Sequence, residues 1–307
     1  MKITVFGAGG VGGYFGARLA QAGCDVGFVA RGEHLRALRE HGLRVRSALG
    51  DVELPAVRAS DDPAALGTPD FVFVCTKLWD LENAVRALAP AVGPDTALLS
   101  LQNGVTKDDV LRRAFGDRAV VGGVAYISAG IAEPGVIRHT GKLAKLAFGE
   151  YDGSRSPRAQ ALLAECVKCG IDSSIAPDVR LAIWEKFVFL VGMSAATAGA
   201  RATIGPVREH PRSRAFLLGV MREVAAVGRA LGVPLAADFA DNRLAFIDGL
   251  PREMEASMAT DLRNGRRLEL AWLSGAAADL GEAAGVPAPL NRAVADLLSP
   301  HAEGAAG

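Results

Sequence analysis

The sequence predicts an α/β domain built on a doubly wound sheet over residues 1–176, followed by an all-helical domain over 177–307. Three observations carry this. The chain opens on a short apolar strand that runs into a glycine turn, MKITVFGAGGVGGYFG, and hydrophobic periodicity then alternates between strand and helix through the first half. Beyond Pro177 the strand pattern stops and the apolar faces are spaced for helix. At 307 residues the chain also exceeds the usual size of a single core, so two domains are the natural division.

The elements follow in order. Ile3, Val5 and Phe6 form the first strand, and Gly7, Gly9 and Gly12 come next in G-x-G-x-x-G spacing, with Phe15, Leu19 and Ala22 behind them at helical spacing. One glycine permits the tight turn, one lets a pyrophosphate reach the backbone, and one lets the helix close on the strand. Together they make a Rossmann-type dinucleotide turn with the phosphates on a helix N-terminus; a purely structural glycine turn is the alternative.

Residues 25–30 read as the second strand, which runs into Arg31 where an NAD site would carry a carboxylate. A guanidinium pairs with a 2′-phosphate that a carboxylate would repel, so NADPH/NADP+ is the expected cofactor and a solvated loop arginine the alternative. A helix through Leu35 and Leu38, short strands at 43–45 and 52–54, a strand at 71–74, a helix over 81–88 and a strand at 96–101 continue the alternation. Residues 124–128, 136–139 and 143–149 read as antiparallel strands, followed by a helix over 158–169 and a strand at 171–174. The second domain reads as helices over 179–200, 212–231, 236–247, 253–263 and 266–284, and residues 301–307 as a small, polar, disordered tail.

Half of the residues are hydrophobic and the formal net charge is zero, which fits a well-buried globular protein and argues against nucleic acid as a partner. The N-terminus is already a strand and the longest uncharged stretch, 187–200, is too short to span a bilayer, so a cytoplasmic protein without a membrane partner is expected. Cys24 and Cys75 read as core thiols. Cys166 and Cys169 form a C-x-x-C with no further ligands in the pattern, so two ordinary helix-face thiols are the simpler reading than a metal or redox pair, and no metal is expected. The apolar helices of the second domain are compatible with a homodimer and equally with a monomer.

Hydride transfer to a carbonyl needs a proton donor for the developing alkoxide. Lys186 is the candidate, because an ammonium inside Trp184-Glu-Lys-Phe-Val-Phe-Leu190 is costly unless it snorkels, pairs with Glu185 or Asp178, or works in a site. Lys77 and Gln102-Asn103-Gly104 each follow a sheet strand, where functional loops belong, although turn residues and surface lysines read alike. Glu269 reads as lying on a helix face with Trp272 and Leu273, and Ser257 lies in Glu-Ala-Ser-Met-Ala-Thr-Asp.

Taken together, GAGGVGGYFG at 7–16, Arg31, CTK at 75–77, LQNG at 101–104, WEKF at 184–187 and SMATDLRNGRRLELAWL at 257–273 resemble the ketopantoate reductase family over essentially the whole chain. The resemblance implies reduction of a small 2-oxo acid, ketopantoate, by NADPH to give pantoate for pantothenate and coenzyme A. It implies that Gly7, Gly9, Gly10, Val11, Gly12 and Arg31 hold the cofactor. It also implies that Lys77 and Asn103 lie beside nicotinamide and substrate, that Lys186 is the general acid, and that Ser257 and Glu269 complete the site. Glu269 is there linked to cofactor or substrate positioning and to the protonation network, which places it with Lys186 and Asn103 among the catalytic residues.

One departure is chemically pointed. Family members usually follow the catalytic lysine with asparagines four and eight residues later, where this chain has Leu190 and Ser194. Positions i, i+4 and i+8 share a helical face. Ser194 keeps hydrogen-bonding capacity toward substrate, whereas Leu190 removes a basis for selecting a substrate hydroxyl. A different branched 2-oxo acid as substrate, or a non-catalytic NADP-binding protein, are the alternatives.

Overall fold

Burial on both faces explains the most legible strands: β1 (Lys2–Phe6), β2 (Asp25–Val29), β6 (Phe71–Val74) and β7 (Ala97–Ser100) are nearly continuous runs of buried residues. In the computed structural model, which describes residues 1–305, they form the centre of one ten-stranded sheet. The other strands are β3 (Leu43–Arg46), β4 (Val52–Leu54), β5 (Arg58–Ser60), β8 (Val120–Glu133), β9 (Val136–Gly149) and β10 (Asp172–Ile175). The order is β4-β3-β9-β8-β7-β6-β1-β2-β5, with β10 added to β9. From β5 to the start of β8 every pairing is parallel, with β1 between β2 and β6. Chain order therefore reverses at β1, and the carboxyl ends of β1 and β6 border a topological switch point, where α/β sheets bind ligands.

Helices α1 (Gly10–Gln21), α2 (Gly32–His41), α3 (Leu81–Leu88) and α4 (Lys107–Phe115) alternate with these strands, and α5 (Pro157–Lys168) precedes β10. The Rossmann-type sheet with a helical C-terminal part is thus borne out. Three readings of the first half change. The expected short antiparallel strands are two 14-residue strands, β8 and β9, which continue through exposed residues. Val120 and Val121 pair with β7 in parallel, and the rest of β8 pairs antiparallel with β9. Both β5 and α4 were unmarked by periodicity, and α4 hides a buried charge pair at its start.

The chain divides into units Met1–Val179 and Arg180–Gly307. The second consists of α6 (Val179–Ala200), α7 (Ile204–Glu209), α8 (Pro211–Ala230), α9 (Phe239–Asp248), α10 (Ser257–Arg263), α11 (Ser274–Ala283) and α12 (Pro289–Leu298), with no strand among the described residues. Close packing of α6 on α8 relies on glycine: a Cβ on Gly228 would lie 2.7 Å from the Trp184 ring. The Glu223 carboxylate from α8 accepts from the first amides of α12, Leu290 N at 2.9 Å and Asn291 N at 3.0 Å.

The expected helix over 266–284 is broken, because residues 270–272 form a 3-10 turn and Leu273, at φ −107° and ψ −100°, interrupts the helical path before α11. The tail is not loose through its described part: Leu268 N donates to Ala302 O and Ala305 N to Gly265 O, both at 2.8 Å, while residues 306 and 307 lie outside the described residues. Helix α6 is long and apolar enough to cross a membrane by length and composition, since it continues past Lys186 and Glu185 to Val179. Most of that stretch is buried, which is also how a core helix reads.

Candidate active site

The glycine turn is held by the ends of the neighbouring strands. Gly7 N and Ala8 N both donate to Val29 O, at 3.1 and 3.0 Å, and Gly7 sits at φ +100°, where a side chain is strained. A Cβ there would also lie 2.8 Å from Thr76 N, across the switch point, and one on Gly12 would lie 2.7 Å from the Val5 side chain. Gly9 differs: a Cβ on it meets nothing within 4 Å. Gly9 is the N-cap of α1 and, lacking a side chain, leaves the amides of the first turn, including those of Gly10 and Val11, with no capping acceptor from it. Open space before donor-rich backbone at a helix N-terminus suits a pyrophosphate.

Arg31 lies at the end of the β2 segment, as N-cap of α2, with its guanidinium largely exposed and Nη1 3.4 Å from Asp80 Oδ2. Asp80 Oδ1 in turn accepts from Asn83 Nδ2 at 2.8 Å. Lys77 follows β6, is exposed, and carries its ammonium 5.5 Å from the centre of the Trp79 ring. Asn103 follows β7 and is half-buried.

Gln102, which the sequence puts in a functional loop without marking a role, joins the two strand ends. Its buried side chain donates to Thr76 Oγ1 and Lys77 O, both at 3.3 Å, while its Oε1 accepts from Ser100 Oγ at 3.0 Å. The loops bearing Lys77 and Asn103 are therefore tied together.

A second anchor lies just beyond. Lys107 Nζ, 1% exposed, donates to both Asp108 carboxylate oxygens at 3.0 Å and to Ser100 O at 3.1 Å, and Tyr151 OH donates to Asp108 Oδ2 at 2.6 Å. Burial, reinforced by the Asp108 carboxylate, pushes the Tyr151 hydroxyl far up, so it stays a donor.

In the second unit, Lys186, Leu190 and Ser194 lie along one face of α6. Lys186 and Leu190 are half-buried, whereas Ser194 is fully buried and its hydroxyl finds no partner among the described residues. An orphaned buried hydroxyl is worth about 1–3 kcal/mol in lost solvation, so its retention needs a reason. Two turns of chemistry join here: Thr197 Oγ1 donates to Met193 O at 2.7 Å and accepts from Ala256 N at 3.4 Å, which sets Ser257, the exposed first residue of α10, beside α6. Glu269 is buried, but it lies ahead of the 3-10 turn rather than on a helix face, with its carbonyl accepting from Trp272 N and Leu273 N.

The C-x-x-C thiols are free; Cys169 Sγ donates to Cys166 O at 3.3 Å and burial pushes the Cys166 thiol up to about 12.

A family model described as "Ketopantoate reductase PanE/ApbA" matches residues 3–153, and one described as "Ketopantoate reductase PanE/ApbA C terminal" matches 178–302. The chain belongs to the ketopantoate reductase family. Among curated relatives it is similar to a 2-dehydropantoate 2-reductase of Mesorhizobium japonicum, 33% identical with 97% of each chain covered. Among solved structures it is similar to a PanE/ApbA family ketopantoate reductase from Ralstonia eutropha, at TM-score 0.90 and 33% identity over 98% of both chains. D-mandelate dehydrogenase, at TM-score 0.89, 21% identity and 98% coverage of both chains, shares the fold. Within the family, this chain places Gly7 to Gly12, Arg31, Lys77 and Asn103 on the carboxyl side of one sheet, and Lys186, Ser194, Ser257 and Glu269 in its helical unit.

Proposed function

We propose that this protein is an NADPH-dependent reductase of ketopantoate, with Lys186 as general acid. The supporting observation is the full-length match to the family, on a chain that retains the glycine cradle together with Lys77, Asn103, Lys186, Ser257 and Glu269. The domain over 1–176 holds the cofactor and the domain over 177–307 supplies the acid. When bound, NADPH supplies the hydride that reduces C2 of the 2-oxo acid. The α1 amides receive the pyrophosphate and Arg31 pairs with the 2′-phosphate. The Lys77 ammonium and the Asn103 amide orient the oxo acid, and Lys186 holds a proton for its ketone oxygen, its charge also stabilising the alkoxide. Ser257 donates a hydrogen bond to substrate, whereas the expected Ser194 contact is not open because that hydroxyl is fully buried, and the Glu269 carboxylate orders the protonation network.

Leu190 favours a second reading, in which the preferred substrate is a branched 2-oxo acid lacking the hydroxyl of ketopantoate. NADPH oxidation with ketopantoate and with 2-oxoisovalerate, with NADH and Lys186→Ala as controls, tests both. Turnover of ketopantoate that falls about 10²–10⁴-fold in Lys186→Ala supports the first reading; preference for 2-oxoisovalerate supports the second. A complete lack of turnover with tight NADPH binding would refute both.

A further inference from the structure

His34, on α2, is half-buried and belongs to none of the groups above. Its ring bridges two backbones: Nδ1 accepts from Gly135 N at 3.1 Å, so the ring hydrogen sits on Nε2 and is donated to Ala8 O at 2.8 Å. Ala8 belongs to the glycine turn, and Gly135, at φ +78°, to the β8–β9 turn. The same hairpin reaches the glycine turn a second time, because a Cβ on Gly10 would run into the Ala129 carbonyl and lie 2.7 Å from Gly130 N. With Ala8 N already donating to Val29 O at 3.0 Å, the residue is gripped on its amide and its carbonyl sides.

We propose that His34 is a positioning residue for the dinucleotide: by pinning the Ala8 carbonyl to the β8–β9 turn, it holds the glycine turn in the one conformation whose amides receive the pyrophosphate. The inference rests on the reading of that turn as the cofactor site. Affinity falls in proportion to the fraction of molecules with a competent site, so loosening the Ala8 peptide weakens binding without touching the chemistry that follows. Burial pushes the ring below the ordinary imidazole range, the Ala8 bond opposing, and this keeps Nδ1 available as an acceptor.

His34→Phe keeps a ring and removes both bonds, while His34→Gln keeps an N–H donor for Ala8. Fluorescence titration of the full chain with NADPH is expected to show a roughly tenfold rise in Kd for Phe, about 1.4 kcal/mol, with Gln between Phe and wild type. At saturating NADPH, kcat stays within about twofold of wild type. An unchanged Kd in His34→Phe, or a fall in kcat at unchanged Kd, would overturn the proposal.

Amide hydrogen exchange on the unmodified chain decides independently of whether a variant folds. NADPH is expected to slow exchange at Gly135 together with Gly9 to Val11, and protection confined to the glycine turn refutes the coupling. Failure of the wild-type chain to bind NADPH or NADH would fall on the cofactor reading instead.

Discussion

Gly9 and Gly10 are neighbours with opposite surroundings, and substituting each by alanine separates fold from function. A methyl on Gly10 would press on backbone of β8, 2.7 Å from Gly130 N and nearer still to the Ala129 carbonyl. Ordinary contact begins near 3.4 Å, so the strand or α1 must give by at least 0.7 Å and no flexible side chain can absorb it. Overpacking of this kind costs about 1–3 kcal/mol, and up to about 1 kcal/mol returns from removing a glycine in a helix. Because every clashing atom is backbone, the upper end of the cost applies, and a net loss of about 2–3 kcal/mol lowers Tm by roughly 4–12 °C.

Gly9, at φ −74° with nothing within 4 Å of its Cβ, accepts a methyl without strain, so apo stability stays within about 0.5 kcal/mol of wild type. That methyl nevertheless occupies the approach to the first amides of α1, and NADPH Kd is expected to rise at least about tenfold. Thermal unfolding and NADPH titration of both variants read the two effects apart. Wild-type NADPH affinity in Gly9→Ala would refute the assignment of the cradle, and a Gly10→Ala as stable as wild type would refute the packing argument.

Three further outcomes follow from the same geometry. Arg31→Ala is expected to lower the preference for NADPH over NADH by roughly 10–100-fold, the worth of charge-assisted bonds to a phosphate, as read from the ratio of kcat/KM values. Lys107→Met strands the buried Asp108 carboxylate and is expected to destabilise by about 3–5 kcal/mol in urea unfolding. Acidification is expected to destabilise through His34: with its folded pKa below the ordinary 6.5, the unfolded chain binds more protons, so this stability is complete above 6.5 and lost as pH falls toward the folded value. Glu33 pairs with Arg36 on the same helix, and Arg44 with Glu133 flanks Gly135, so the urea midpoint of wild type against His34→Gln isolates the ring between pH 5 and 8.

The readable parts of the fold were those whose side chains record burial directly. Phe71–Val74 and Ala97–Ser100 are buried on both faces and read as unbroken apolar runs, and the bounds of α6 are legible because apolar side chains wrap the whole helix. The far end of β8 (129–133) and the middle of β9 (140–142) are not legible because these stretches are largely exposed and carry no alternation. Spacing alone puts Glu269 on a helix, because Trp272 and Leu273 keep helical spacing across an interruption of the helix that spacing does not register.

In the site, the glycine turn is legible because its positions call for glycine for separate reasons: a positive φ at Gly7, close packing at Gly12 and an open approach at Gly9. The braces around the site are not legible: the His34 ring bonds only to backbone, and Gln102 and Lys107 each combine a backbone carbonyl with a hydroxyl or carboxylate partner that no spacing pattern marks.

β8 belongs to two neighbourhoods at once. Its first residues are the last rung of the parallel sheet, and the remainder carries β9, on which β3 and β10 depend, although β3 is encoded long before either. Recombination could therefore not trade the nucleotide-binding half at residue 120 for another of its kind. Such an exchange would leave the β8–β9 hairpin without the β3 and the glycine turn on which it closes, so the unit that packs as one is the whole stretch from the first strand to the start of α6.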